Sequence, residues 1–193
     1  DSYCLPMVKY NNPAEIIIND NPYDCAAQKW NDSFKKSRQP YVMIISDDFI
    51  IPAGHISKML KRLAACVNAA NVGYVYPSGY ICIPLKPENH DVGKNFMYKS
   101  NSFNPDKLKD GNYIDGSCLW KREKFVNFDT NLPRFLDWDV ALNNLINNGV
   151  VGVMVDNTEF ITFCLDKGIS SKTEAKEEAL QIITDKYKIN KQQ

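Results

Sequence analysis

At 193 residues, with 44% hydrophobic and 24% charged side chains, the chain has the composition of one globular domain large enough for a substantial core. Its 23 basic residues balance 23 acidic ones, so bulk charge does not drive binding to nucleic acid or to a membrane surface. Any anion site must therefore be built locally. The sequence shows no signal peptide and no apolar run long enough to span a bilayer, and so reads as soluble with no transmembrane segment. The start at Asp1 fits a fragment of a longer protein. Six widely spaced cysteines include no C-x-x-C pair and no Cys/His cluster, which disfavours structural zinc. Several lie in apolar runs, such as Ile81-Cys82-Ile83 and Phe163-Cys164-Leu165. They read as small buried hydrophobes of a reducing, cytoplasmic compartment, though their even number leaves disulfides open.

In chain order, residues 1 to 14 are punctuated by Pro6, Asn11-Asn12 and Pro13. Glu15-Ile-Ile-Ile-Asn-Asp20 reads as a short buried strand ending in a carboxylate. Asp24 is a candidate N-cap for a helix from Cys25 to Lys36, with Ala26, Ala27, Trp30 and Phe34 facing the core. Tyr41-Val-Met-Ile-Ile follows as a second buried strand, giving a βαβ crossover with Asp20 and Asp48 on one sheet edge. His55 to Ala70 is the clearest helix, with Ile56, Met59, Leu60, Leu63, Val67 and Ala70 on one face. Short strands flank the Pro77-Ser-Gly79 turn. Lys86 to Asn112 is polar and irregular, either a lid on the acceptor side or a plain surface excursion. Ile114 to Trp120 reads as a strand, Lys121 to Phe125 as a helical turn, and Phe135 to Asn148 as a helix stopped by Gly149. Val150 to Val155 is a buried strand ending at Asp156, and Lys172 to Ile189 a charged helix with Ala175, Ala179, Ile182, Ile183 and Tyr187 inward.

Ser46-Asp47-Asp48, at the end of a buried strand, is the most telling stretch. Ligands of open α/β sheets bind just outside such strand ends. Adjacent carboxylates repel one another unless a cation or donors relieve them, which suits a hard divalent metal. A solvated loop in which one aspartate caps the next helix is the competing reading.

The order of these pieces resembles family 2-like glycosyltransferases of the GT-A fold. Three segments carry the resemblance: Gln28-Lys-Trp-Asn31 through Ser46-Asp47-Asp48, Asp115-Gly-Ser117 through Arg122-Glu123, and Phe135-Leu-Asp-Trp-Asp139 through Gly149. It implies an α/β fold, GT-A-like, with a mixed, mainly parallel central sheet flanked by helices and a Rossmann-like nucleotide half. Over a single domain, residues 15–85 would form the nucleotide and metal half and 86–112 a loop. Residues 113–160 would form the acceptor and catalytic half, and 170–193 a C-terminal helix.

The resemblance also implies roles. Asp48 would bind Mn²⁺ or Mg²⁺, and Asp47 the donor ribose, with Ser46 in place of the family's first Asp. Asp20 would contact the nucleoside, or close an Asx-turn with Asn21-Pro22. Lys29 and Asn31 would approach the nucleotide, although a solvated face suits Lys29 equally. Asp137 and Asp139 match the family's acidic pair, Asp139 as catalytic base; both also suit the positive end of a helix. Asp115 and Gly116 would line the acceptor side or simply form a turn. Trp138 would stack on the acceptor sugar or join the core. The family's opening strand has no room before Ile16, and the His it places near the last strand is replaced by Asp156-Asn-Thr-Glu159.

The expected activity is metal-dependent, inverting transfer from a nucleoside diphosphate sugar, UDP favoured, to a carbohydrate or glycoconjugate hydroxyl, with no nucleic-acid partner. Two rivals remain: a non-catalytic nucleotide-sugar or glycan-binding module, and a Mg²⁺-dependent phosphotransfer domain. No P-loop, G-x-G-x-x-G or G-x-S-x-G is present.

Overall fold

The computed structural model describes residues 4–22, 24–84, 95–164 and 173–189. Its strands form two four-stranded sheets. The first has the order β1 (Tyr41–Met43), β6 (Leu119–Lys121), β3 (Val72–Pro77), β7 (Val151–Val155). The second has the order β2 (Phe49–Ile50), β8 (Phe160–Cys164), β4 (Gly79–Pro84), β5 (Phe96–Lys99). β3–β7 and β4–β8 are parallel pairs; the other four pairings are antiparallel. The class is mixed α/β as expected, but the pairing is mainly antiparallel rather than mainly parallel. The cause in the first sheet is β6, which runs back between the like-directed β1 and β3.

Three passages of chain cross from the first sheet to the second: residues 44–48, Ser78, and residues 156–159. The last two cross side by side, so the parallel pairing of β3 and β7 continues as β4 and β8. Ser78 and Thr158 clamp them there. The Ser78 N–H donates to Thr158 Oγ1 (3.2 Å) and the Thr158 N–H to Ser78 Oγ (3.1 Å). At Gly79 a Cβ would stand 2.1 Å from the Tyr98 carbonyl oxygen, so the close approach of β5 requires glycine.

Helices cover both faces of the first sheet. Val75 and Leu119 meet Met59 and Leu63 of α3 (His55–Ala65) on one face. Tyr74, Tyr76 and Trp120 lie in the larger cluster, with side chains of α2 (Ala26–Lys36), α4 (Pro105–Asp110), α5 (Leu136–Asn148) and α6 (Thr173–Tyr187). Helix α5 begins one residue later than expected, at Leu136, and ends at Asn148 before Gly149, whose φ of +63° suits its place as the residue after the helix.

Several expectations change. Residues 15–20 form no strand and pair with none among the described residues, so the βαβ crossover does not exist. Their polar groups are bound to the α2 region instead: Asn19 Nδ2 donates to Lys29 O (3.0 Å), and Glu15 Oε2 accepts from Arg38 N (3.1 Å). Helix α3 stops at Ala65, leaving Val67 67% exposed, because the chain turns back to enter β3. The polar 86–112 stretch contains β5 and α4, the latter capped by Asn104 Oδ1 accepting from Asp106 N and Lys107 N (both 3.0 Å). Residues 86–94 of that stretch lie outside the described residues, as do Lys167 and Lys172, which flank Gly168 and by sequence would either cover a diphosphate or stay solvated. A further helix, α1 (Cys4–Tyr10), and β8 were not foreseen.

Cys82 is buried, as expected, and disulfide-bonded, the alternative that the even cysteine count left open. No helix among the described residues is long and apolar enough to cross a membrane.

Asn31, on α2, is buried and spends its amide on one backbone unit. Its Nδ2 donates to Phe128 O (2.9 Å) and its Oδ1 accepts from Phe128 N (2.8 Å). Asn31→Ala strands both buried groups of Phe128 and should cost about 2–4 kcal/mol, read as a lower urea midpoint at unchanged slope.

Candidate active site at the seam between the sheets

Ser46-Asp47-Asp48 form the turn that takes the chain from β1 to β2, closed by Phe49 N donating to Ser46 O (3.2 Å). Asp47 is exposed and Asp48 half-buried. The Asp48 carboxylate is hydrogen-bonded to the Thr162 side chain, and its carbonyl accepts from Phe163 N (3.1 Å). Because β6 runs against β1 and β3, the residues before it emerge where those two strands end. Asp115 lies there, with Oδ1 accepting from both N and Oγ of Ser117 (each 2.8 Å) in an Asx-turn. Asp137 comes from the first turn of α5, just after Phe135, whose φ of +59° is strained for a bulky side chain. Gly116 backs onto it: a Cβ there would lie 3.8 Å from Asp137 Cβ. Asp137 accepts from Trp138 N (2.9 Å) and is hydrogen-bonded to the Asn112 side chain.

These carboxylates share one field. Burial pushes Asp48 up to about 6, with the charges of Asp47 and Asp115 adding to it. Burial and then the charge of Asp137 push Asp115 up to about 6 against the Ser117 hydrogen bonds. Asp137 is raised by burial, opposed by Trp138, Asn112 and Arg134. Tyr80 and Tyr98, stacked 5.0 Å apart, stand beside them. Burial first, and then neighbours including Asp115 and Asp137, push each phenol up to about 12. The Cys118 thiol is raised too far by burial and the same acids to serve as a nucleophile at neutral pH.

The structure thus brings together Asp47, Asp48, Asp115, Gly116 and Asp137. It puts the other candidates elsewhere. Asp20 is exposed on the unpaired segment, and the Asx bond there is made by Asn19 Oδ1 accepting from Asn21 N (3.4 Å). Lys29 and Asn31 belong to α2, beside residue 128. Trp138 is a core residue whose Nε1 donates to Leu108 O (2.7 Å). Asp139 is 1% exposed; its Oδ1 accepts from Lys186 Nζ and the Tyr187 hydroxyl (both 2.8 Å). Lys186 also bridges to Asp129 Oδ2 (3.0 Å). Tyr80, Tyr98 and Asn112 escaped the sequence reading; the alternation of Phe96-Met-Tyr98-Lys99 was the available signal for the strand that carries Tyr98.

The donor set at Asp47 and Asp48 is of carboxylate oxygens, the kind a hard cation takes, and the charges of Asp47 and Asp115 both raise Asp48. No group of three His, Cys, Asp or Glu close enough to hold an ion occurs among the described residues. No known protein family and no curated protein matches the chain.

Two stability predictions follow from the charges. With a folded pKa near 6 against 3.8 unfolded, Asp115 binds protons more readily in the folded state. Its contribution favours folding below about pH 4 and is lost as pH rises through 6. Asp115→Asn, which keeps the Oδ1 acceptor, should therefore stabilise the domain at pH 8 by roughly 1–2 kcal/mol, allowing for solvent screening, and change little at pH 4. Lys186→Met leaves the Asp139 charge buried and should cost about 3 kcal/mol in a denaturant titration.

Proposed function

We propose that the domain is a metal-dependent glycosyltransferase of GT-A-like fold. It would move a sugar from a nucleoside diphosphate sugar, UDP-linked by preference, to a carbohydrate hydroxyl with inversion. The observation that supports this is the convergence of Asp48, Asp115 and Asp137, far apart in sequence, on one sheet edge, where the charge of Asp115 acts on Asp48 and that of Asp137 on Asp115. In this reading Asp48 and Asp47 hold Mn²⁺ or Mg²⁺, which when bound supplies Lewis-acid neutralisation of the departing diphosphate. Asp137 takes the proton from the acceptor hydroxyl. Burial raises its pKa, which makes it a better base than an ordinary carboxylate. Asn112 and the Trp138 N–H orient it. The base role given to Asp139 by sequence passes to Asp137, because Lys186 and Tyr187 occupy Asp139.

A thermal-shift panel of UDP, GDP, dTDP and ADP, each with Mn²⁺ or EDTA, tests the donor half. One nucleotide should raise Tm by about 5–10 °C with Mn²⁺ only, and Asp48→Asn should abolish the shift. Asp137→Asn should keep the shift and lose transfer or donor hydrolysis by about 10²–10⁴-fold. Asp139→Asn, corrected for its folded fraction, should still turn over. Turnover lost only in Asp139→Asn would return the base to that residue. A nucleotide shift without turnover by wild type would favour the binding-module reading. No shift with any nucleotide would sink the donor site, and labelling of Asp47 or Asp48 by small phosphodonors would point to phosphotransfer.

A further inference from the structure

The strands of the first sheet carry unlike charge at their two ends. Met43 pairs with Leu119 at the end next to the acidic seam, and Tyr41 pairs with Lys121 at the other. At that second end Arg122 N donates to Pro40 O (2.9 Å), which sets Lys121 and Arg122 beside Arg38. Lys124 lies against the start of β3, where a Cβ built on Gly73 would stand 3.0 Å from Lys124 Cβ. Helix α2 ends here on one face of the sheet, with Lys36 in its last turn and Phe34 stacked on Phe125 (3.6 Å). Helix α3 ends here on the other face, with Arg62 in its last turn and Cys66 in one cluster with Tyr41 and Val72. Lys36, Arg38 and Arg62 are exposed, while Lys121, Arg122 and Lys124 are half-buried, with stems against the protein and heads free to reach outward. None of the six forms a salt bridge among the described residues. Of the acids nearby, Glu15 accepts from Ser37 Oγ and Arg38 N, Asp32 is taken by Gln28 and Lys35, and Glu123 stands exposed. Lys36 and Arg62 also complement the negative ends of their helices. Arg38 and Lys121, outside any helix, have no such use.

We propose that this basic end is a docking surface for an anionic lipid bilayer, with the acidic seam held at the far end of the same strands. Cations gathered from the ends of α2, α3 and β6 make a face rather than a pocket, which suits a spread of negative headgroups better than a single phosphate. Val67, 67% exposed just beyond α3, adds an apolar side chain at this end. The aromatic rings here are spent on the protein itself. Phe125 meets Phe34, Trp120 and Phe128, and Tyr41 packs into the α3 cluster. No ring is thus offered to a base, which disfavours single-stranded nucleic acid. The balanced charge of the whole chain does not oppose docking, because screening limits the attraction to charges within about 8–10 Å of the surface. Both poles select one orientation: the headgroups attract the basic end and repel the exposed Asp47 at the other. The proposal stands independently of the transferase reading.

Flotation with vesicles tests the surface, comparing phosphatidylcholine alone with phosphatidylcholine containing about 30 mol % phosphatidylglycerol. The domain should float with the anionic vesicles at about 0.05 M salt and stay behind with the neutral ones. It should be released near 1 M salt, where the screening length falls to about 3 Å. Lys36→Gln and Arg38→Gln, both at exposed positions, should each weaken partitioning about fivefold, the share of one charge near such a surface. Lys107→Gln, exposed on α4 next to the Leu108–Trp138 contact at the seam end, should leave it unchanged. No flotation with the anionic vesicles, equal flotation with the neutral ones, or an equal loss in Lys107→Gln would each overturn the proposal. So would binding of DNA or RNA that Lys36→Gln and Arg38→Gln weaken while vesicles are ignored, which would give the surface to nucleic acid.

Discussion

The structure depends on a pair of parallel strands that pass together through two sheets. β3 and β4 are one passage, β7 and β8 the other, and the reciprocal Ser78–Thr158 hydrogen bonds hold them in step where they cross. Separated from this crossing, the first sheet would lose its β3–β7 edge and the second its β4–β8 centre. The crossing also decides where chemistry can occur. At a seam between sheets the backbone leaves its ladders, so the turns there are free to carry polar side chains that a sheet interior would exclude. Asp47 and Asp48 sit in the third such turn, and β6 delivers Asp115 to the same edge by running backwards.

What gathers there is a set of carboxylates that burial and one another's charges act on. Burial and then neighbouring charges push both Asp48 and Asp115 up to about 6, Asp47 and Asp115 acting on the first and Asp137 on the second, a state that lowers stability near neutrality. Structural ion pairs elsewhere in the chain behave differently. Asp129 is held below the usual carboxylate range, burial being outweighed by hydrogen bonds from Asn131 and Lys186 and by the Lys186 charge. Asp129 and Asp139 pair with Lys186, whereas burial and the charges of Asp47 and Asp115 raise Asp48. That contrast is the physical basis for reading the seam as a site.

Helices with strong caps or a clear apolar stripe were legible in sequence. Gly149 ends α5 as predicted, and Ala27 and Phe34 of α2, Met59 and Leu63 of α3, and Ala179 and Ile183 of α6 are buried where the stripes put them. The acids Asp48, Asp115 and Asp137 were legible too, though not their proximity. Residues 15–20 were misread because three isoleucines look the same whether a neighbouring strand exists or not; here Ile18 is 66% exposed. The 86–112 stretch was misread for the opposite reason. Its polar composition hid a short amphipathic helix whose signal, an Asn-Pro-Asp start, is a cap rather than a stripe.

The Asp-x-Asp of α5 shows how two aspartates of one short motif part on a helix. On a strand, residues i and i+2 share a face, and both aspartates would have reached the seam. On a helix at 3.6 residues per turn they lie about 200° apart, so one placement forbids the other. Asp137 turns towards Asn112 and Asp115, and Asp139 necessarily turns towards α6, where Lys186 and Tyr187 take it up. The buried Trp138 between them, anchored to Leu108 O, fixes the rotation of the helix that separates the two. One turn of helix thus carries both an acid offered to the site and an acid consumed by the core, and only the helix phase distinguishes them.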